Sequence, residues 1–375
     1  MKSLKLHVPA VPTDNVIFAS ARPLIRLTAA TGTALVLLFL ASPRLAADVV
    51  EAPVVVPAVN AMTDSTVEAG TARIVTHDFD WVDTARNRAV PVRLYLPAQA
   101  APAQTLPLVV FSHGMGGSRR GYSYLGAHWA SHGYASLHLQ HVGSDRSLWR
   151  GNIFGLVGRL QGAAQEEEAI TRVGDLRFAL DQILADQELG SRIDAGRIVA
   201  AGHSYGANTV MLALGARIMR QDRIIDLFEP RLSAAVLLSA PPFYGESNMA
   251  GILSNIRVPT LHITATEDII RIPGYYSGVE DRIAVFDAMP GARKVLAVFE
   301  GGSHSMFTDR NGTGGAELNS LVKAATKELS IAFFESTFGS SDAALHSWPA
   351  RHNTILAKFI TPGYSDIHRR ANPSY

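Results

Sequence analysis

The sequence predicts an α/β domain, with a mostly parallel central sheet covered by helices on both faces. Two observations predict it. From about residue 71, short apolar runs alternate with longer helical stretches, and strands alternating with helices imply βαβ units. One of those runs, Leu106–Phe111, is continuously apolar, as expected of a strand buried on both faces. The chain has 375 residues, 47% hydrophobic and 18% charged. A domain of about 270 residues is large enough to bury a substantial core.

The elements follow in order. Arg73–Phe79 and Val90–Leu96 read as a leading antiparallel pair, and Leu106–Phe111 as the first buried strand. A helix near Tyr122–His132 precedes a strand over Tyr134–Leu139. A helix over Ala164–Ala185 precedes a strand over Arg197–Ala201, and a helix over Ala207–Arg220 comes next. Strands over Ala234–Leu238, Pro259–Thr264 and Lys294–Phe299 lead to a last helix over Ala316–Phe338. Residues 141–163 interrupt the alternation. A segment in that place, past a strand's carboxyl end, often caps a pocket, so Trp149, Phe154 and Leu156 are candidate lining residues. Phe243, Tyr244 and Met249 are candidates for another wall. Residues 71–340 are read as the domain, and 341–375 as an irregular C-terminal extension.

The first 47 residues have a different character. Lys2, Lys5, Arg22 and Arg26 make a basic lead, Leu27 to Ala41 is apolar without a charge, and Ala46-Ala47 precedes Asp48. Basic, apolar, small-residue order is the signature of a secretory signal peptide. The apolar run is about 15 residues, short of the ~20 that cross a bilayer. The expectation is an exported chain, periplasmic or secreted, without stable membrane insertion once residues 1–47 are removed. An uncleaved inner-membrane anchor is the alternative. Removing them takes five of the 34 basic residues and one of the 33 acidic ones, leaving a net of −3. Residues 48–70, rich in Val, Pro and Ala, read as a linker.

Composition excludes several functions. A net charge of +1 argues against a nucleic-acid partner. With no cysteine, the chain has no disulfide framework, thiol nucleophile or Cys-ligated zinc. His128 and His132, with His138 and His141 beyond, lack an H-E-x-x-H pattern and read as packing and surface residues. No metal and no cofactor is expected.

Gly202-His203-Ser204-Tyr205-Gly206 fits G-x-S-x-G between a strand-like and a helix-like run. That order is what a nucleophile elbow needs, and its strained turn requires small flanking residues. A serine nucleophile requires a base, and the partners are expected in the order Ser, acid, His. His304 follows the last strand in Glu-Gly-Gly-Ser-His-Ser-Met-Phe. Asp268, just past the strand over Pro259–Thr264, is the favoured acid. Glu267 beside it points to another face of the strand, and Glu246 is an outside candidate. The glycine-rich loop after Leu106–Phe111, Ser-His-Gly-Met-Gly-Gly, suits an oxyanion hole. Its donors would be the amides of Met115 and Tyr205.

These motifs resemble those of the α/β-hydrolase fold. The chain is similar to the group described as predicted dienelactone hydrolases, related to platelet-activating factor acetylhydrolase and more distantly to cutinase-like polyester hydrolases. The resemblance covers about residues 71–340. It is carried by Phe-Ser-His-Gly-Met-Gly-Gly-Ser from Phe111, Gly-Tyr-Ser-Tyr-Leu-Gly-Ala-His-Trp from Gly121, His-Leu-Gln-His-Val-Gly-Ser-Asp from His138, Val-Gly-Asp-Leu-Arg-Phe-Ala-Leu-Asp from Val173, and the elbow. It implies a Ser204, Asp268 and His304 triad with Met115 and Tyr205 at the oxyanion hole. Dienelactone hydrolases use a cysteine nucleophile, which this chain lacks, so that substrate does not carry over. The expectation is a serine esterase acting on a small-molecule or lipid ester, with short acyl groups favoured. A lipase or polyester hydrolase, a peptidase or amidase, and a non-catalytic binding protein on the same scaffold are the alternatives.

Overall fold

The computed structural model describes residues 65–69, 72–99, 105–220, 223–272, 275–291, 293–310, 313–339 and 341–363. The expected signal peptide, residues 1–47, and most of the expected linker lie outside the described residues.

Three antiparallel strands come first: β1 (Ser65–Ala69), β2 (Ala72–Asp83) and β3 (Arg88–Pro97). β4 (Leu106–Ser112), α1 (Ser123–Ser131) and β5 (Ala135–Leu139) make the first parallel unit. Two short 3-10 turns lead into α2 (Leu156–Ala163), α3 (Glu166–Ala185), β6 (Ile193–His203) and α4 (Tyr205–Ala213). A hairpin of β7 (Arg217–Arg220) and β8 (Arg223–Asp226) precedes β9 (Leu232–Leu238), α5 (Met249–Leu253) and β10 (Thr260–Glu267). A second hairpin, β11 (Ile270–Ile272) and β12 (Tyr275–Ser277), is followed by α6 (Val279–Ala288) and β13 (Lys294–Ser303). The chain closes with α7 (Ala316–Phe338), α8 (Ala343–Arg351) and β14 (Leu356–Ile360).

The main sheet runs β1-β2-β3-β5-β4-β6-β9-β10-β13-β14. From β5 to β13 every pairing is parallel. All seven residues of β4 are buried, which explains its unbroken apolar sequence. Side chains alternate across it. Leu108 and Val110 join the core under α3 and α4, whereas Val109 and Phe111 join the core under α1 and α7. Helices therefore cover both faces, as the alternation of strands and helices in the sequence predicts. The chain moves outward from β4 to β5, then returns past β4 to β6. Strand order reverses there, and open α/β sheets bind ligands outside the carboxyl ends of the strands at such a point.

Four details differ from the sequence expectation. The helix over Ala207–Arg220 ends at Ala213, because Gly215 turns the chain at φ 101° and Arg217–Arg220 pairs as a strand. Helix α6 and both hairpins had no clear period. Residues 65–69, placed in the linker, form β1 on β2, an edge strand that needs no apolar alternation. The C-terminal stretch from residue 341 is not an irregular extension. Its β14 adds an antiparallel strand to β13, and α8 brings Trp348 into the core.

Trp348 is fully buried, its Nε1 donates to the Ala325 carbonyl at 3.0 Å, and its ring meets Phe299 and Phe359. Trp348→Ala is expected to lower unfolding free energy by about 3–5 kcal/mol, read from urea unfolding of the full chain. A loss below about 1 kcal/mol would mean the site collapses without cost and α8 is peripheral.

Candidate active site

Strand β6 ends at His203, and Ser204 takes φ 55° and ψ −121° before α4 begins. Few non-glycine residues occupy positive φ. The turn is tight because a glycine lies two residues to either side. A Cβ on Gly202 would strike the Gly206 carbonyl, and one on Gly206 would strike the Ser112 carbonyl. The Ser204 amide donates to the Leu238 carbonyl of β9 at 2.9 Å, which ties the elbow to the neighbouring strand.

Its Oγ meets His304 Nε2 at 2.8 Å. His304 opens the turn after β13, and its Nδ1 meets Asp268 Oδ1 at 2.6 Å. With Nδ1–H donated to the carboxylate, Nε2 is free to accept the serine proton. A register shift in β10 between Ala265 and Glu267 leaves Glu267 exposed and Asp268 buried. Glu246 is held by Arg220. Of the three carboxylates weighed from sequence, Asp268 is the one that reaches His304. Burial alone would raise the Asp268 pKa, but His304 outweighs it, with help from Arg282 at 3.5 Å, and holds the carboxyl well below its usual range. Thr264 Oγ1 donates to the other oxygen at 2.7 Å.

The glycine loop leaves β4 beside the elbow, because Ser112 pairs in register with Gly202. Gly116 N donates to the Ser144 carbonyl and Gly117 N to the Gly114 carbonyl. Among the described residues, no acceptor takes the Met115 amide between them. The Tyr205 amide is the first of α4, and so has no carbonyl one turn back.

A buried polar layer supports this loop, and here sequence reading missed most of the residues. His141 N donates to His113 Nε2 at 3.0 Å, so His113 carries its proton on Nδ1 and donates to the Gly114 carbonyl at 2.7 Å. Arg172 donates to Ser112 Oγ at 3.2 Å, so the Ser112 hydrogen goes to His141 Nε2 at 2.8 Å. His141 then donates from Nδ1 to Asp175 at 3.0 Å. On the other side, His203 Nε2 donates to the His304 carbonyl at 2.9 Å, and its Nδ1 accepts from Tyr122 at 2.8 Å. The signal that pointed here is a broken apolar stripe. Arg172 and Asp175 sit among Ala169, Val173, Leu176, Ala179 and Leu180 on the inner side of α3.

The expected pocket residues divide. Trp149 Nε1 donates to the Gly116 carbonyl at 2.9 Å, which places the indole against the loop. Phe154 is 92% exposed. Tyr244 is exposed and meets the Tyr275 ring at 5.4 Å, beyond β10. The His128 and His132 rings lie tilted against each other at 4.1 Å. Among the described residues, no group of three or more His, Asp or Glu is arranged to hold a metal, and no helix is long and apolar enough to cross a membrane.

Comparison with known proteins finds partial matches. The family model for platelet-activating factor acetylhydrolase, isoform II, matches residues 45–154. Over those residues, less than half of its length, the chain is similar to that family. Platelet-activating factor acetylhydrolase of Cavia porcellus is 26% identical over 154 residues, covering 33% of this chain. The chain spans 35% of that relative's length. The matched family segment contains the Met115 loop and ends before Ser204. A solved ferulic acid esterase from Streptomyces cinnamoneus is 22% identical, with a TM-score of 0.47 over 70% of this chain and 88% of its own.

Burial lowers the pKa of His138, His203 and His262 to about 3, and of His141, with help from Arg172, to about 4. In the unfolded chain these groups titrate near 6.5. Between those values the unfolded state binds more protons, so stability rises with pH. Each contributes a slope of up to about 1.4 kcal/mol per pH unit. Asp268, with its pKa lowered, adds to the loss only below about pH 4. The urea midpoint is expected to fall steadily from pH 7 to pH 4.5, and a flat midpoint would contradict neutral buried imidazoles.

Proposed function

We propose that this chain is a serine esterase that hydrolyses carboxylic esters through an acyl-enzyme. The observation that carries the reading is the continuous hydrogen-bonded line from Ser204 Oγ through His304 to Asp268, at 2.8 and 2.6 Å. Nucleophile, base and orienting acid in that relation are what acyl transfer requires.

In this reading His304 Nε2 takes the Ser204 proton as Oγ bonds to the ester carbonyl carbon. The carbonyl oxygen becomes an oxyanion, held by the amides of Met115 and Tyr205. The imidazolium is stabilised by ionised Asp268, and its proton passes to the departing alkoxide. Water, deprotonated by the same imidazole, then attacks the acyl-enzyme and restores Ser204. The chemistry draws on no cofactor. The named activity of the acetylhydrolase relative belongs to the same class of reaction. The basic, apolar, small-residue order of residues 1–47 supports export as the setting.

A second reading, a lipase or polyester hydrolase, is favoured by one observation. Trp149, Ile153, Phe154 and Val157, on the segment packed beside the Met115 loop, all expose apolar surface. Such a rim suits a long acyl chain or a lipid surface.

Hydrolysis of p-nitrophenyl esters from acetate to palmitate by the full chain separates these readings. Activity peaking at acetate or butyrate supports a small-ester enzyme, and activity rising toward palmitate supports the lipase reading. Ser204→Ala should lose at least ~10³-fold in kcat, and Asp268→Asn about 10³–10⁴-fold, because the imidazole then adopts the wrong tautomer. A Ser204→Ala enzyme with undiminished turnover would end the esterase mechanism proposed here.

A further inference from the structure

We infer that Arg172 is a positioning residue for both oxyanion donors, fixing the Met115 loop and the Tyr205 elbow with one buried guanidinium. The inference rests on Met115 and Tyr205 being those donors, and it concerns a residue on α3 that does not touch the substrate.

The geometry is specific to arginine. Nε donates to Thr209 Oγ1 at 2.9 Å and Nη1 to Ser144 Oγ at 2.8 Å. Nη2 donates to Ser112 Oγ at 3.2 Å and also to the His113 carbonyl. The guanidinium carbon lies 4.5 Å from the centre of the Tyr205 ring, within the reach of a cation–π contact. Thr209 in turn donates to the Tyr205 carbonyl at 3.1 Å. Arg172 therefore holds Tyr205 by its ring and, through Thr209, by its backbone.

The second donor is held on both flanks. The His113 carbonyl that Arg172 grips belongs to the peptide immediately before the one carrying the Met115 amide. On the far side, Gly116 N donates to the carbonyl of Ser144, whose hydroxyl Arg172 also engages. A guanidinium is a planar fork with donors in fixed directions. Lysine carries the charge but cannot reach three elements at once.

The charge is balanced within the layer. Ser144 passes its own hydrogen to Glu168 at 2.7 Å, and Ser112 passes its hydrogen through His141 to Asp175. Arg88 pairs with both acids. Burial lowers the Arg172 pKa to about 10, so it remains a cation at neutral pH. A charge this deeply buried is expensive unless fully paired and hydrogen-bonded. Packing alone would be served by leucine or methionine at this place in an apolar stripe.

An oxyanion hole acts on the transition state and hardly on the bound ester. The test therefore uses Arg172→Met and Arg172→Lys in the full chain, with active sites counted by exhaustive fluorophosphonate titration. kcat per titrated site is expected to fall about 100-fold in Arg172→Met, within the 10²–10³ range for a lost oxyanion donor. KM should stay within about three-fold, and Ki for a trifluoromethyl ketone, which forms a tetrahedral adduct, should rise by a factor similar to the loss in kcat. Arg172→Lys should show the same pattern at reduced size. If kcat and the ketone Ki per active site stay within about three-fold of wild type, or if KM alone rises, the inference fails. Should Arg172→Met not fold, Thr209→Val decides, since it cuts the hydrogen-bonded link from Arg172 to the Tyr205 backbone and leaves the grip on the Met115 loop. A drop of about five-fold or more in kcat with a matching rise in ketone Ki supports the inference, and unchanged values overturn it. A Ser204→Ala chain that keeps turning over would instead overturn the esterase reading, and the donor assignment with it.

Discussion

Holding Ser204 at φ 55° and ψ −121° costs on the order of 1–3 kcal/mol, and such a conformation persists only where the surroundings over-determine it. Here they do so from three sides. β9 accepts the Ser204 amide, α4 starts immediately after it, and the missing side chains of Gly202 and Gly206 let α4 press against β4 and β6. Both glycines are therefore set by backbone contact. The same close approach brings Ser112, and the loop that follows it, beside the elbow. Ser204 and the loop proposed to hold the oxyanion are thus placed by one packing arrangement at the point where strand order reverses.

Beneath that arrangement lies a layer in which each histidine has a defined tautomer. His113, His141 and His203 are buried and neutral, and each uses one ring nitrogen to donate and the other to accept. Such a layer is costly when partly satisfied and rigid when complete. Its members tie the loop after β4 to the segment after β5, and the elbow to the loop of His304. A second Ser–His–Asp line, Ser112 to His141 to Asp175, occurs inside it. All three side chains are fully buried and Ser112 also accepts from Arg172. Its position makes it scaffold for the loop, where the line from Ser204 faces the site.

Much of this was legible in the sequence, and the legible part has a common cause. Ser204, Asp268 and His304 each follow a strand whose apolar run is plain, so their loops could be placed on one sheet edge before any coordinates. The choice of Asp268 over Glu267 followed from strand alternation, and the register shift in β10 reinforces it. Short edge elements were not legible. β14 pairs with β13 from about sixty residues away, and β1 is a short edge strand on β2, so neither has a plain local signature. The polar layer was hidden for another reason. Arg172 and Asp175 read as charges on a helix, and only the packing of α3 against β4 turns them inward. Charged residues interrupting an apolar stripe were the one visible trace.

The claim on which everything else depends is that Ser204 forms a covalent bond during turnover. Incubating the full chain with a fluorophosphonate, then mapping the modified peptide by mass spectrometry, tests it directly. The account predicts one adduct per chain, on the peptide containing Gly202 to Gly206 and localised to Ser204, with labelling abolished in His304→Ala. An adduct on any other serine, or labelling of Ser204 that persists at full rate without His304, would contradict it.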